Sequence, residues 1–170
     1  MGRKHGILSV LVLALLLALL ILAFSAPAGA AKKARPFKGT LVGTVTFSEP
    51  NPDPAGPPWL WATSDAVGNV SHMGKTVLWA KHRAAMDFGS DDMTFTAANG
   101  DMITCSYYGG GEMPPNPGDW YDLWTEVTIT GGTGRFAHAT GHMDMTAQLQ
   151  FLPMDAVWPV IFTFTGRIKY

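Results

Sequence analysis

Three groups of side chains in this sequence could carry chemistry by their type and spacing. The first is TGGTGRFAHATG, Thr130 to Gly141, where Gly132-x-Gly134-x-x-Ala137 has the spelling of a dinucleotide-binding fingerprint. Such a fingerprint needs a parallel strand before it and a long helix after it, so that backbone N–H groups and the helix dipole meet a pyrophosphate. Here a strand pattern follows, with room for one helical turn at Phe136 and Ala137 but none for a crossover helix before Met143. These glycines therefore read as backbone-conformation residues at a wide strand connection. The second group, Gly68 to Thr76 (GNVSHMGKT), approximates a phosphate-binding loop, but it places five residues between its glycines where the motif takes four. One extra residue rearranges the whole nest of N–H groups, and no helix follows. The third group is His138, His142 and Asp144, on one strand parity, with His72 or His82 as further metal ligands. At ~3.3 Å per residue His138 and His142 stand ~13 Å apart on a straight strand, too far to share one ion.

The alternate parity beside those histidines carries Met143 and Met145, so the polar set is expected to face solvent. Asp87, Asp91 and Asp92 lack the spacing of a calcium loop and read as a solvated turn. No metal or cofactor is expected, and no catalytic residue can be assigned. Were the protein an enzyme, Tyr107, Tyr121 or an acid such as Asp101 would be the groups available to stabilise charge. Cys105 has no cysteine partner in the chain; in an apolar strand it reads as a buried structural thiol rather than a nucleophile.

These side chains must be positioned by strands. In FKGTLVGTVTFS, Phe37, Gly39, Leu41, Gly43, Val45 and Phe47 fall on one parity and Lys38, Thr40, Thr44, Thr46 and Ser48 on the other, the pattern of a half-buried strand. The same period returns around Met93, Phe95 and Ala97, around Ile103, Cys105 and Tyr107, and around Tyr121, Leu123, Val127 and Ile129. It recurs from Met143 to Phe151 and from Val160 to Ile168. WLWATS, NVSHMG and TVLWAKHR are less regular and fit two or three further strands. Asn99-Gly100 predicts a tight type I′ hairpin, and EPNPDPAGPP and GGGEMPPNPG predict longer loops. The fold class expected is all-β: a single antiparallel β-barrel of about eight strands, closed because its first and last long strands can pair and remove exposed edges.

The ends and the composition set the context. Arg3, Lys4 and His5 precede an apolar run from Ile7 to Phe24, followed by Ala28-Gly29-Ala30, the order of a secretory signal peptide. Residues 1–30 are expected to be that leader and 31–170 the barrel domain, placed outside the cytoplasm in the periplasm or at the cell exterior. Membrane contact is expected only through the leader if it is retained, since the run approaches the ~18 residues at which a spanning helix becomes possible. With 12 basic and 13 acidic residues in the chain, and two of the basic ones in the leader, the exported part is mildly acidic and offers nothing to nucleic acid.

At GGTGRFAHATG the sequence resembles the Gly-Gly-[Thr/Ser]-Gly-x-Phe-x-x-Ala-x-Gly signature of the allene oxide cyclase and dirigent barrel superfamily, matched by Gly131, Gly132, Thr133, Gly134, Phe136, Ala139 and Gly141. The resemblance is sharp over about a dozen residues and topological elsewhere. It implies an eight-stranded antiparallel barrel, often trimeric, whose apolar cavity holds a small hydrophobic molecule and controls how a reactive intermediate closes or couples. The family's catalytic acids and cavity arginines have no assignable positions here, and fold alone does not carry activity.

The expected function is binding of a small apolar ligand in or at the mouth of the barrel by inward Phe37, Leu41, Phe95, Tyr107, Tyr121, Leu123, Met143 and Phe164. The alternatives are a cyclase- or dirigent-like enzyme, and a surface interaction protein with a filled core. Trp120 and Trp124 fall on the outward parity and are expected at an interface, in a homo-oligomer or beneath a loop or a sugar. Trp59 and Trp61 would extend that surface or sit at the mouth.

Overall fold

In the computed structural model, which describes residues 33–48 and 60–170, alternation has become a closed antiparallel barrel of eight strands in sequence order. The strands are β1 (Arg35–Ser48), β2 (Trp61–Val70), β3 (Gly74–Arg83), β4 (Asp87–Ala97), β5 (Met102–Gly111), β6 (Trp120–Gly132), β7 (Thr140–Gln150) and β8 (Trp158–Lys169). The proposed leader, the first proline-rich stretch and Trp59 lie outside the described residues. Closure comes from β1 and β8, paired from Arg35 opposite Ile168 to Val45 opposite Trp158, so every strand has two neighbours and no edge is left bare. Burial follows the period of two on each strand. On β7, for example, Met143, Met145, Ala147 and Leu149 are buried between exposed His142, Asp144, Thr146 and Gln148.

One end of the barrel is sealed. Its connections are the β2–β3 turn around His72, the β4–β5 turn at Ala98–Gly100, and the β6–β7 connection with its single 3-10 turn, Gly134–Phe136. Phe136 is fully buried there and meets the Tyr170 ring edge-on at 4.9 Å. Thr133 clamps the connection to β5: its N–H donates to Met102 O at 2.9 Å and its Oγ1 accepts from Met102 N–H at 3.0 Å. Gly134 takes φ +54°, and a Cβ there would run into the Asp101 carboxylate, which itself pairs with Arg135 at 3.5 Å. The glycine-rich signature is thus the floor of the barrel, followed by one 3-10 turn and a strand and not by a long helix. Gly68 to Thr76 is likewise a hairpin, with His72 and Gly74 at positive φ.

Several local expectations are corrected. The Asn99-Gly100 hairpin is not type I′, because only Gly100 has positive φ (+87°). Its N–H donates to Ala97 O and Ala97 N–H to Asp101 O, both at 2.9 Å, a three-residue turn closed by a left-handed glycine. Asp87, Asp91 and Asp92 belong to β4 rather than to a loop; the register slips between Ser90 and Met93, and this bulge lets both Asp91 and Asp92 face solvent. Gly109–Gly111, expected at the head of a loop, continues β5 beside Trp124 and Leu123 of β6. Cys105 is a buried free thiol, and burial pushes its pKa up to about 12, which removes any nucleophilic role near neutrality.

Candidate functional site

Side-chain volume divides the interior into two halves. Toward the sealed end Phe37, Phe95 and Phe164 form a ring triad with centroids 5.4 to 6.3 Å apart, and Leu41, Leu78, Ile103 and Met143 pack around it with no exposed surface. Toward the other end the inward positions shrink to Ala62, Ser64, Ala80, Thr125 and Ala147, and they enclose an open-mouthed cavity of about 300 Å³. Val45, Met93, Met145, Trp158 and Phe162 complete its wall. The Trp158 indole is fixed by a 3.0 Å hydrogen bond from Nε1 to Pro153 O. Met86, Met113 and Met154 stand at the rim, each about 40% exposed; thioether side chains of this kind adapt to differently shaped contents.

The cavity is apolar apart from a few groups that converge on it. Ser64 and Thr125 are buried hydroxyls in its wall. His82 on β3 and Tyr107 on β5 meet across the intervening β4, with Nδ1 of the imidazole 2.9 Å from the phenol oxygen. The imidazole is stacked on Phe88 at 4.6 Å, and burial lowers its pKa from the ordinary 6.5 to about 4, so His82 is neutral at physiological pH. Burial raises the Tyr107 pKa above its ordinary value of 10; a hydrogen bond with Ser90 opposes the shift and the charge of Asp92 adds to it. Burial also raises that of Tyr121. All three lining groups are therefore uncharged hydrogen-bonding groups on a greasy wall, an arrangement suited to holding or polarising an uncharged molecule.

The structure separates the eight interior residues expected to line a cavity. Tyr107, Tyr121 and Leu123 do line it. Phe37, Leu41, Phe95, Met143 and Phe164 are inward but sit in the packed half, where rings and branched chains leave no space. Asp101 is at the sealed end, in the ion pair with Arg135, and cannot act on anything in the cavity. His82, which the sequence offered only as a further metal ligand, was not foreseen as part of the cavity wall. Its signal was present: Thr76, Leu78, Ala80 and His82 share one parity of β3, and the first three are buried. Val77 and Trp79, apolar but exposed on the outward parity, blurred the alternation.

Outside the barrel, Trp120 and Trp124 are about half exposed, and Trp124 packs edge-on against Tyr108 at 5.3 Å. Asp122, between them, accepts a hydrogen bond from Gln148 Nε2 at 3.3 Å. Trp61 at the start of β2 lies under the Lys81 ammonium, 4.6 Å from its ring centre. A second exterior feature is an apolar row in register across three strands: Val42 opposite Val67, and Val67 opposite Val77, all three largely exposed. His138, His142 and Asp144 are exposed as expected, with His142 Nε2 3.7 Å from Asp144 Oδ1. Among the described residues, no three His, Cys, Asp or Glu side chains gather as a metal-holding group.

No protein-family model matches the chain, and no curated protein sequence does. Among solved structures it is similar to a pterocarpan synthase dirigent protein, with 13% sequence identity and a TM-score of 0.50 over 83% of this chain and 88% of that one. At that identity the likeness is one of fold: the barrel is dirigent-like.

Proposed function

We propose that this protein binds a small apolar molecule in the open half of its barrel. The observation that carries the reading is the cavity of about 300 Å³ walled by alanines, methionines and aromatic rings. An engineered apolar cavity of ~150 Å³ takes up benzene, so the space here suits a bicyclic skeleton. Burial of its surface would supply affinity at ~25 cal/mol per Å². The test is extraction and mass spectrometry of material that copurifies with the native protein, paired with titration by the neutral fluorophore N-phenyl-1-naphthylamine. Saturable fluorescence enhancement that a bulky substitution in the wall abolishes supports the reading; no saturable binding removes it.

The second reading is cyclase- or dirigent-like steering of a hydrophobic intermediate, favoured by three ionisable side chains on the cavity wall, His82, Tyr107 and Tyr121, and in keeping with the dirigent-like fold. Steering leaves a chiral mark. A closure or coupling that is racemic in solution should give one enantiomer in excess when run with the protein, and racemic product on chiral chromatography would eliminate this reading. Export by the N-terminal leader fits either function. The exterior Trp120 and Trp124 would make a homo-oligomeric contact, checked by size-exclusion mass before and after Trp124→Ala, with an unchanged monomer counting against it.

A further inference from the structure

The polar edge of the cavity has a direction. Ser90 lies opposite Tyr107 in the β4–β5 register, its Oγ accepting the Asp92 N–H at 3.0 Å. The phenol in turn lies 2.9 Å from His82 Nδ1. A phenol is the more acidic donor of that pair and an imidazole nitrogen the better acceptor, so the Tyr107 proton points at Nδ1. A neutral imidazole that accepts at Nδ1 must carry its proton on Nε2. Nε2 has no hydrogen-bond partner among the described residues, and no buried side-chain nitrogen or oxygen there lacks one. Nε2 is therefore reachable from outside the protein matrix, on a side chain that lines the cavity.

We propose that the Tyr107 phenol fixes the His82 imidazole as a hydrogen-bond donor into the cavity, and that the preferred ligand is an uncharged, largely apolar compound bearing a carbonyl oxygen that accepts from His82 Nε2. This deepens the ligand-binding reading above and rests on it. The stack of the imidazole on Phe88 fixes the ring plane, so that the donor is aimed and not swivelling. An ionised ligand is disfavoured, since the wall offers no opposite charge and the imidazole stays neutral near pH 7. The Ser64 and Thr125 hydroxyls lie in the same wall and leave room for a second, weaker contact.

Two measurements separate this inference from the reading it rests on. The first needs no ligand: 15N NMR of the His82 imidazole in the native protein at pH 7 reports its tautomer. A proton on Nε2 is expected, and a proton on Nδ1 overturns the proposal. The second compares 1-tetralone with tetralin, two skeletons of nearly equal shape that differ in one carbonyl, by displacement of N-phenyl-1-naphthylamine. In the native protein the ketone should bind at least as tightly as the hydrocarbon, although water holds the ketone back more strongly. In His82→Phe, which keeps an aromatic ring on Phe88 but has no N–H, the ketone-to-hydrocarbon affinity ratio should fall at least fivefold, because the carbonyl would be buried unpaired. A smaller fall overturns the anchor while leaving the cavity reading intact; failure of both probes to bind takes down the cavity reading and this inference with it. Should His82→Phe not fold, Tyr107→Phe gives the same comparison, since loss of the phenol proton frees Nδ1 to hold the hydrogen; the ratio should again fall, and an unchanged ratio counts against the proposal.

Discussion

In the sealed half of the barrel the inward positions carry Phe37, Phe95, Phe164, Leu41 and Leu78; in the open half the same strands carry Val45, Met93, Phe162 and Ala80. Both halves share one backbone pattern, one hydrogen-bonded wall and one alternation of inward and outward residues. What differs is volume, together with the polar groups that the smaller residues leave reachable. Where three phenyl rings meet, the interior has the density of a protein core and serves stability. Where alanine, serine and threonine face the axis, the wall is held in place by its neighbours while the space beyond it is free. A barrel can do this because its strands are braced by the ladder on both sides, so one end need not be filled for the other to stand.

The most severe way to break this division is Phe95→Ala. The ring is fully buried between Phe37 and Phe164, and its removal should cost about 3–5 kcal/mol in urea unfolding. Truncation of Phe162, which faces the cavity and is still 6% exposed, should cost distinctly less, because one side of that ring already lacks protein contacts. Equal losses would mean that the two halves are packed alike.

A second test uses pH and touches only the open half. The imidazole of His82 titrates near 4 in the folded protein against an ordinary 6.5, so between those values the unfolded chain takes up a proton that the folded chain refuses. The associated stability is complete above about pH 6.5, drains away as pH falls toward 4 and changes no further below that. The full swing is on the order of 3 kcal/mol, from about 1.4 kcal/mol per unit. The groups facing the imidazole are Phe88 of β4 and Tyr107 of β5, with the Asp92 charge acting on Tyr107. Urea unfolding at pH 7 and pH 4.5 should show most of that loss in the native protein, and the difference between the two pH values should shrink by about 2 kcal/mol in His82→Phe. A difference that the substitution leaves unchanged would place the pH sensitivity elsewhere.

The barrel itself was legible because a period of two holds over long runs of every strand and only changes phase at a bulge such as that of β4: within a run a residue's parity decides whether it faces the axis, and the pairing of β1 with β8 follows from length and pattern. Parity does not say at which height along the axis a side chain sits. Phe37 and Val45 share a face of β1, yet one is packed under aromatic rings and the other looks into the cavity. Height depends on the stagger between strands, which is a property of the closed sheet and of bulges such as the one between Ser90 and Met93. For the same reason Tyr107 could be placed inside from its own strand, while its partner His82, 25 residues away in sequence, could not be brought to it without the register.

The sealed end offers a smaller effect that sharpens the contrast from the floor. Gly134 combines positive φ with a backbone pressed against the Asp101 carboxylate, so Gly134→Ala should destabilise by about 1–3 kcal/mol. Asp101→Ala in the same background removes the colliding carboxylate and should return part of that loss, leaving the strain of the left-handed residue. Thermal unfolding of the single and double variants separates the two contributions. If the double variant is no better than Gly134→Ala alone, the collision is not what makes glycine necessary at that corner.

The mildest change is expected where the interior is hollow. Ala147 on β7 faces the cavity between Leu123 of β6 and Phe162 of β8, so Ala147→Leu adds three carbons to space that is already open. In a filled core the same enlargement would force strained rotamers and cost ~1–3 kcal/mol. Here the added methyl groups bury themselves against existing apolar wall, and stability should stay within about 1 kcal/mol of the native value. The ligand site should suffer instead, with N-phenyl-1-naphthylamine losing tenfold or more in affinity as its volume is taken. Destabilisation of several kcal/mol with unchanged probe binding would reverse the assignment: the open half would be core, and any ligand would have to be held on the exterior.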